Sequence, residues 1–228
     1  MARTFSEIEL QIQFRREIVK RSVSFLAVLL FAAAVCVAQP AAQAADYESL
    51  LAKAKRGEKS LDYAALRVAY SESKDFNPTV DPKERAEMYK LLKEKKFKEA
   101  VKAAEAVHKT NFVDINSHMV LALAYTELKD QAKADFHKNT YLGLVNSIIS
   151  SGDGETPKTA YVVISVPEEY AILDAFEYKR GTQEVVTENG HKYDVLTVTD
   201  TKTNSQVKMY FNIDIVWKGY DKVFPKSN

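Results

Sequence analysis

The chain has 228 residues, a formal net charge of +1 and a single cysteine. This balanced charge lacks the basic surplus typical of nucleic-acid binding, and one cysteine cannot form an internal disulfide. Hydrophobic residues make up 46% of a chain that is long enough to bury a core. We therefore expect a globular protein that binds no nucleic acid and folds without disulfides.

The first 44 residues have the composition of a secretory signal peptide. Basic residues up to Arg21 precede the uncharged run SVSFLAVLLFAAAVCVA, residues 22–38. Ala42 and Ala44 then supply the two small side chains that a signal-peptidase site requires. The sequence predicts cleavage near Ala44 and a periplasmic or secreted product, with membrane contact only through this segment. An uncleaved anchor is the alternative, although about 17 apolar residues is close to the lower limit for a membrane span.

Cys36 lies within the apolar run. A lipoprotein signal has a small residue directly before its cysteine and usually leucine three positions before it, whereas this chain has Val35 and Ala33. These residues argue against a lipid anchor at Cys36. The cleaved chain then has no cysteine, which excludes thiol nucleophiles and cysteine metal ligands.

Residues 45–150 are predicted to form a helical region. Strong helix formers dominate, and apolar residues recur at intervals of three and four. Asp81, Asp114 and Asp130 stand where helix N-caps are expected, and Pro82 suits a first helical position. Six helices in three hairpins are predicted, at 46–55, 61–72, 82–94, 97–109, 115–128 and 131–149.

The later helices carry a repeat-like pattern. Ala100 and Ala134 are 34 residues apart, which is the period of the tetratricopeptide repeat. Leu121, Ala122 and Tyr125 occupy the large, small and aromatic positions of that repeat's first helix. The helical region therefore resembles tetratricopeptide repeats, a family in which stacked hairpins present their first helices to a concave groove.

The sequence also departs from that family. Glu87 and Met88 stand where the preceding repeat should have leucine and a small residue, and Gln131 replaces an expected aromatic. The family's proline after the second helix is absent near Phe112. An ordinary amphipathic hairpin with an alanine-rich contact seam is the alternative.

Residues 151–228 change to the period of two that is typical of strands. The apolar run TAYVVISV, residues 159–166, predicts a central strand. The following segment, residues 167–181, fits either a strand or a short helix that crosses the sheet.

Asn189-Gly190 predicts a tight hairpin turn between strands at 183–187 and 191–199. Alternating apolar residues predict another strand at 207–215 with one buried face. The predicted fold is α+β, with tetratricopeptide-like hairpins packed against a small, mostly antiparallel C-terminal sheet. This arrangement resembles uncharacterised families of exported bacterial proteins, and it brings no catalytic motif with it.

Four histidines are the candidate metal ligands. No two of them have the H-x-x-x-H spacing that places both rings on one helix face. His118 and His137 lie on adjacent predicted helices and could meet, but core packing is the alternative reading. His108 lies on another second helix, and His191 follows the hairpin turn. We expect no metal and no cofactor.

Known catalytic motifs are missing. Residues 71–74 and 205–208 match S-x-x-K, but matches to so short a motif arise by chance in a chain this rich in lysine. No G-x-S-x-G and no glycine-rich phosphate loop occurs. No catalytic residue is therefore predicted.

Two alternatives to a binding role remain. One is a hydrolase-like envelope enzyme whose site at the helix–sheet junction uses His191 or a carboxylate pair. The candidate pairs are Glu168 with Glu169 and Asp194 with Asp214, whose separations the sequence does not give. The other is a purely structural accessory subunit.

The favoured hypothesis is a non-enzymatic scaffold that binds a protein or peptide through its helical layer. Arg and Lys can bind a carboxylate, and Tyr and Met supply adaptable contact area. The C-terminal sheet could instead fill the groove. The residues assigned to the groove are Arg85, Tyr89, Lys93, Asn116, Met119, Leu123 and Thr126.

Overall fold

The computed structural model describes residues 46–79 and 81–224. The predicted signal peptide, its cleavage site and Cys36 lie outside these residues. The fold is α+β, as predicted, with eight α-helices and one four-stranded mixed sheet in the described part. No helix among these residues combines the length and apolar character needed to cross a membrane.

The six predicted helices are present. Their bounds agree with the predictions to within about two residues, the usual uncertainty of helix ends. The side chains of Asp81, Asp114 and Asp130 accept backbone N–H hydrogen bonds at helix starts, as expected of N-caps. The helices are α1 (Tyr47–Lys55), α2 (Tyr63–Glu72), α3 (Pro82–Lys93), α4 (Phe97–Thr110), α5 (Ile115–Glu127) and α6 (Gln131–Ile149).

The C-terminal part alternates helices with strands. A short 3₁₀ helix, Pro157–Thr159, precedes the sheet. The strand order is β1-β4-β3-β2, in which β1 runs parallel to β4 and the other neighbours are antiparallel. The elements are β1 (Tyr161–Val162), α7 (Val166–Phe176), β2 (Tyr178–Glu188), β3 (His191–Asp200), β4 (Gln206–Asn212) and α8 (Asp214–Val223).

The central strand predicted at 159–166 is wrong. Only Tyr161 and Val162 pair, and they form a short edge strand beside β4. The next residues, Val163 and Ile164, are buried in the hydrophobic core. A continuous apolar run indicates burial on all sides but does not say whether sheet or helices provide the cover.

The structure resolves one open C-terminal prediction and corrects another. The ambiguous segment 167–181 is mainly α7, which ends at Glu177 with the positive φ of 62° that stops a helix. The strand predicted at 207–215 ends at Asn212, and Asp214 begins the unpredicted helix α8. The hairpin at Asn189-Gly190 is confirmed.

Two main hydrophobic clusters build the core, beside a minor third cluster of Ala160, Tyr193 and Val195. The larger one includes Leu66 of α2, Ile148 of α6, Ile172 of α7 and Leu196 and Phe211 of the sheet. The smaller one joins α3, α4 and α5, with Ala134 of α6 at its border. The helical region and the C-terminal elements therefore share one core across residue 150.

The first hairpin packs on α6. Gly143 permits this contact, because a Cβ atom at that position would lie 2.2 Å from Cε2 of Tyr63. The ring of Tyr63 thus occupies the space that any other residue at 143 would need. Close approach of α2 to α6 depends on this glycine.

A buried ion pair ties α2 to the C-terminal elements. The Arg67 guanidinium donates two hydrogen bonds to Glu168, at 2.9 Å and 2.5 Å. It also donates to the Ser147 hydroxyl and the Val162 carbonyl, and Glu168 accepts from the backbone N–H of Ile164. Both charged side chains are buried and fully engaged, so neither lacks a partner.

We predict that Arg67→Ala costs about 3–5 kcal/mol of unfolding free energy, because it leaves the Glu168 carboxylate buried and unpaired. The double variant Arg67→Met/Glu168→Leu should recover much of that loss. Urea denaturation measures both. Arg56→Ala, which removes an exposed ion pair with Glu58, should cost less than about 1 kcal/mol. Equal losses in Arg67→Ala and Arg56→Ala would contradict the assignment.

Candidate functional site

Three histidines meet between α4, α5 and α6. Nδ1 of His118 lies 3.0 Å from Nδ1 of His137, and the His108 ring packs edge-on against His118. Nε2 of His118 lies 2.7 Å from the Phe112 carbonyl oxygen. The sequence placed His118 and His137 on adjacent helices, and the structure brings them together.

The hydrogen bonds assign the tautomers of this cluster. A carbonyl only accepts, so His118 donates from Nε2 to Phe112, and its Nδ1 accepts from Nδ1–H of His137. Burial lowers the pKa of all three rings, and that of His137 falls to about 4. Among the described residues no group of three or more His, Cys, Asp or Glu side chains could hold a metal ion. The cluster acts as neutral core packing.

Two carboxyl groups meet between α7 and β3. Glu169 and Asp194 are both buried, and three of their oxygens have no hydrogen-bond partner in the described chain. Burial, followed by the neighbouring Asp194, raises the pKa of Glu169 to about 9. Burial also raises the pKa of Asp194. The Glu169 carboxyl is therefore protonated at neutral pH.

Polar side chains separate this pair from solvent. Gln183 of β2 donates to Asp194, and its amide oxygen accepts from the Tyr170 hydroxyl at 3.2 Å. The Arg180 guanidinium lies 3.5 Å from the centre of the Tyr170 ring. The pair lies at the helix–sheet junction, where the enzyme hypothesis places its site, and both side chains are buried.

The candidate carboxylate pairs do not form as proposed. Glu168 binds Arg67, whereas Glu169 meets Asp194. Asp214 instead binds His191, with 2.6 Å between Oδ2 and Nδ1 at an exposed position. Consecutive residues on a helix point about 100° apart, so the two glutamates have different neighbours.

The predicted groove residues are largely used within the fold. Arg85 forms an ion pair of 2.9 Å with Asp114, and the Tyr89 hydroxyl donates to Asn116 at 2.7 Å. Burial raises the pKa of the Tyr89 hydroxyl above its usual range. These bonds hold α3 against α5 rather than facing open solvent.

The remaining groove residues differ in exposure. Leu123, like Asn116, is buried, while Met119 and Thr126 are half-buried and Lys93 is exposed. Helix α7 packs against α5, so the C-terminal elements cover part of the expected groove. The structure does not bring these residues together as one open surface.

An open cleft of about 820 Å³ lies elsewhere, between the loop after α1 and the outer face of α6. Its walls mix apolar residues such as Phe136 and Leu142 with uncharged polar ones, and Glu58, Lys59 and Asp62 lie at the loop side. The Asn146 amide nitrogen is buried there without a hydrogen-bond partner in the described residues. The α6 residues that line it are Ala132, Phe136, Asn139, Thr140, Leu142, Gly143, Asn146 and Ser147, followed by Ser150 and Ser151.

A protein-family profile, described as "Domain of unknown function (DUF4919)", matches residues 41–222. The chain belongs to this family. The match covers helices and sheet together, in agreement with the core that the two parts of the DUF4919 fold share. Comparisons with curated proteins and with solved structures give no match.

Sequence reasoning missed both the cleft and the Glu169–Asp194 pair of this DUF4919 chain. A signal for the pair was available, because Asp194 stands between Tyr193 and Val195 in a strand with many buried residues. A charged residue at such a position needs a compensating neighbour. For the cleft, the polar residues Asn139, Asn146 and Ser147 look in the sequence like an ordinary solvated helix face.

We predict that acid destabilises this family member through its histidine cluster. The unfolded chain binds protons below about pH 6.5, whereas the buried rings exclude them, so stability falls as the pH drops from 6.5 towards 4. His137→Gln should make this slope shallower in urea denaturation across that range. His191→Gln, at an exposed ring, serves as the control. An unchanged slope in His137→Gln would contradict the prediction.

We predict the opposite pH dependence for Glu169. The native state keeps a proton that the unfolded chain releases above about pH 4.5, so stability falls as the pH rises from 4.5 towards 9. Glu169→Gln should remove a slope of about 1.4 kcal/mol per pH unit. Denaturation at several pH values measures it, with the exposed Glu184→Gln as control. The prediction fails if Glu169→Gln retains the wild-type slope.

Proposed function

We propose that the protein is an exported, non-enzymatic scaffold that binds an extended peptide segment in the cleft along α6. The observation that carries this proposal is the cleft itself. Its volume of about 820 Å³ is within the range of about 300–1,000 Å³ typical of ligand sites. It is also open, whereas the histidine cluster and the carboxyl pair are buried.

The length of the cleft favours a chain-like ligand. The lining residues on α6 extend from Ala132 to Ser151, which at 1.5 Å per residue is roughly 28 Å. An extended peptide covers that distance with about eight residues. A compact metabolite would leave most of this wall uncovered.

The chemistry of the wall suits a peptide backbone. Asn139 and Asn146 are two helical turns apart, so their amides stand about 10 Å from each other on one face. A side-chain amide offers both a donor and an acceptor, as a peptide group does. Asn139 is exposed, so its amide can donate to a ligand carbonyl and accept from a ligand N–H.

Other features support the scaffold part of the proposal. Hairpins α3–α4 and α5–α6 pack side by side, with Ala100 and Ala134 buried 34 residues apart. This packing supports a tetratricopeptide-like relationship for these two hairpins. Export rests on the composition of residues 1–44.

The test is selection of ligands from a phage-displayed random peptide library, with affinities measured by fluorescence anisotropy. Asn139→Arg and Ala132→Arg each place a long charged side chain in the cleft from an exposed helix position. We expect each to weaken peptide binding at least about tenfold, since a loss of about 1.4 kcal/mol corresponds to that factor.

Two controls sharpen this test. Gln131→Arg adds the same side chain to an exposed position on α6 outside the cleft, and Lys93→Glu alters the groove predicted from sequence. Both should bind as wild type does. The proposal fails if no saturable peptide is recovered, or if Asn139→Arg binds as tightly as Gln131→Arg. Loss of peptide binding in Lys93→Glu alone would instead indicate that the peptide binds in the groove predicted from the sequence.

A further inference from the structure

The cleft along α6 changes character from one end to the other. Near the start of the helix its wall holds Phe136, and the loop opposite contributes Gly57 and Leu61. A Cβ atom at Gly57 would lie 3.6 Å from Cδ2 of Phe136, so the loop and the ring are close there. Towards the end of the helix the lining residues include Ser147 and Ser151. The cleft therefore has an apolar end and a serine end.

Leu61 is placed at the apolar end by the contacts on either side of it in the chain. Gly57 lies against Phe136, and further along the chain Tyr63 lies against Gly143. The loop between these two contacts, which contains Leu61, therefore passes along this stretch of α6. Leu61 and Phe136 line the cleft and are each half-buried, so part of their apolar surface is open to it. Together they form an apolar subsite beside Gly57.

Gly57 leaves the Phe136 ring uncovered on the loop side. Its φ of 68° lies in the left-handed region that favours glycine, so the loop has no side chain at this position. A side chain there would begin in van der Waals contact with the ring. The surface that such a side chain would cover is left for a ligand.

The hydroxyl groups of the serine end are engaged within the fold. The Ser147 hydroxyl donates to a backbone carbonyl of α6 and accepts from Arg67. The Ser151 hydroxyl donates to another carbonyl of α6 and accepts from the backbone N–H of Val162. A hydroxyl has only one hydrogen to donate, so neither group has a donor left for a ligand. Selectivity among peptides then depends on the apolar end.

The charged residues of the loop wall do not favour a charged ligand, because Glu58, Lys59 and Asp62 carry both signs. Oε2 of Glu58 lies 3.8 Å from Nη2 of Arg56. The Asp62 carboxylate caps α2 by accepting from the backbone N–H of Ala65. An apolar side chain is thus the group that this end of the cleft fits best.

We propose that the cleft selects peptides by one large apolar side chain, aromatic or leucine-like, which packs on Leu61 and Phe136 beside Gly57. This inference rests on the proposed peptide binding and adds its specificity. An apolar anchor that leaves water for a pocket typically supplies much of the affinity of a complex. The rest of the segment then needs only backbone groups and small side chains.

Peptides recovered from the random library test the anchor directly. We expect their sequences to share one position filled by Phe, Tyr, Trp, Leu, Ile or Met. Replacing that residue by alanine in a synthetic peptide should weaken binding to the wild-type protein about tenfold to a hundredfold, because most of the buried apolar surface is lost. Fluorescence anisotropy measures both peptides. This comparison alters only the peptide and does not depend on the folding of a variant.

Leu61→Ser tests the subsite from the protein side. It should bind the parent peptide about tenfold more weakly than wild type, and it should respond little to the alanine replacement, since the two changes remove the same contact. Leu128→Ser, at a half-buried leucine that ends α5 outside the cleft, is the matched control and should behave as wild type. Circular dichroism checks that both variants fold. An undiminished response to the alanine replacement in Leu61→Ser would contradict the subsite.

Photocrosslinking locates the anchor. A benzophenone amino acid in place of the anchor residue should crosslink to the loop at 57–61 or to α6 around Phe136, as read from mass spectra of tryptic fragments. Crosslinks confined to residues 147–151 would overturn the inference. An alanine peptide that binds as tightly as its parent, or recovered peptides without a shared apolar position, would overturn it too. These three results leave peptide binding standing, whereas failure to recover any saturable peptide ends both proposals.

Discussion

The buried pairing of Arg67 with Glu168 is the constraint on which the arrangement of the two parts depends. Burying two charges is costly unless both are paired and further hydrogen-bonded, and here the guanidinium donates to three different partners. Those partners lie on α6, at β1 and on α7. A single side chain from α2 thereby fixes the position of the C-terminal elements relative to the helices. Hydrophobic burial alone would not choose among such arrangements, because it has no direction.

The contact between α2 and α6 also bears on the position of the cleft. Gly143 lets Tyr63 lie against α6, so α2 approaches one side of that helix and leaves the adjacent side open. The part of α6 that lines the cleft is bounded by the loop at Gly57 to Asp62. Tyr63 and Gly143 themselves line the cleft, so this close helix contact forms part of its wall. The groove expected from the repeat pattern is partly covered, since α7 packs against α5.

The sequence was most informative where local rules decide the structure. Capping aspartates at 81, 114 and 130 gave correct helix starts, and Asn189-Gly190 gave the hairpin. Prediction from the sequence was wrong where contacts between distant parts of the chain decide the structure. The apolar run at 159–166 could not show that only two of its residues pair in the sheet. The Arg67–Glu168 ion pair was not predicted for a related reason. The two residues are far apart in the chain, and no spacing rule links them.

The cleft and the core are not independent parts of this molecule. Ser147 lines the cleft and accepts a hydrogen bond from Arg67. Ser151 lines its end and accepts from the backbone N–H of Val162, in the first strand. The ion pair that holds the C-terminal elements therefore also fixes one end of the cleft wall. A wall held in this way is pre-organised, so a ligand does not have to order it on binding. The chain thus uses one buried charge pair both to join its two parts and to hold its open site in shape.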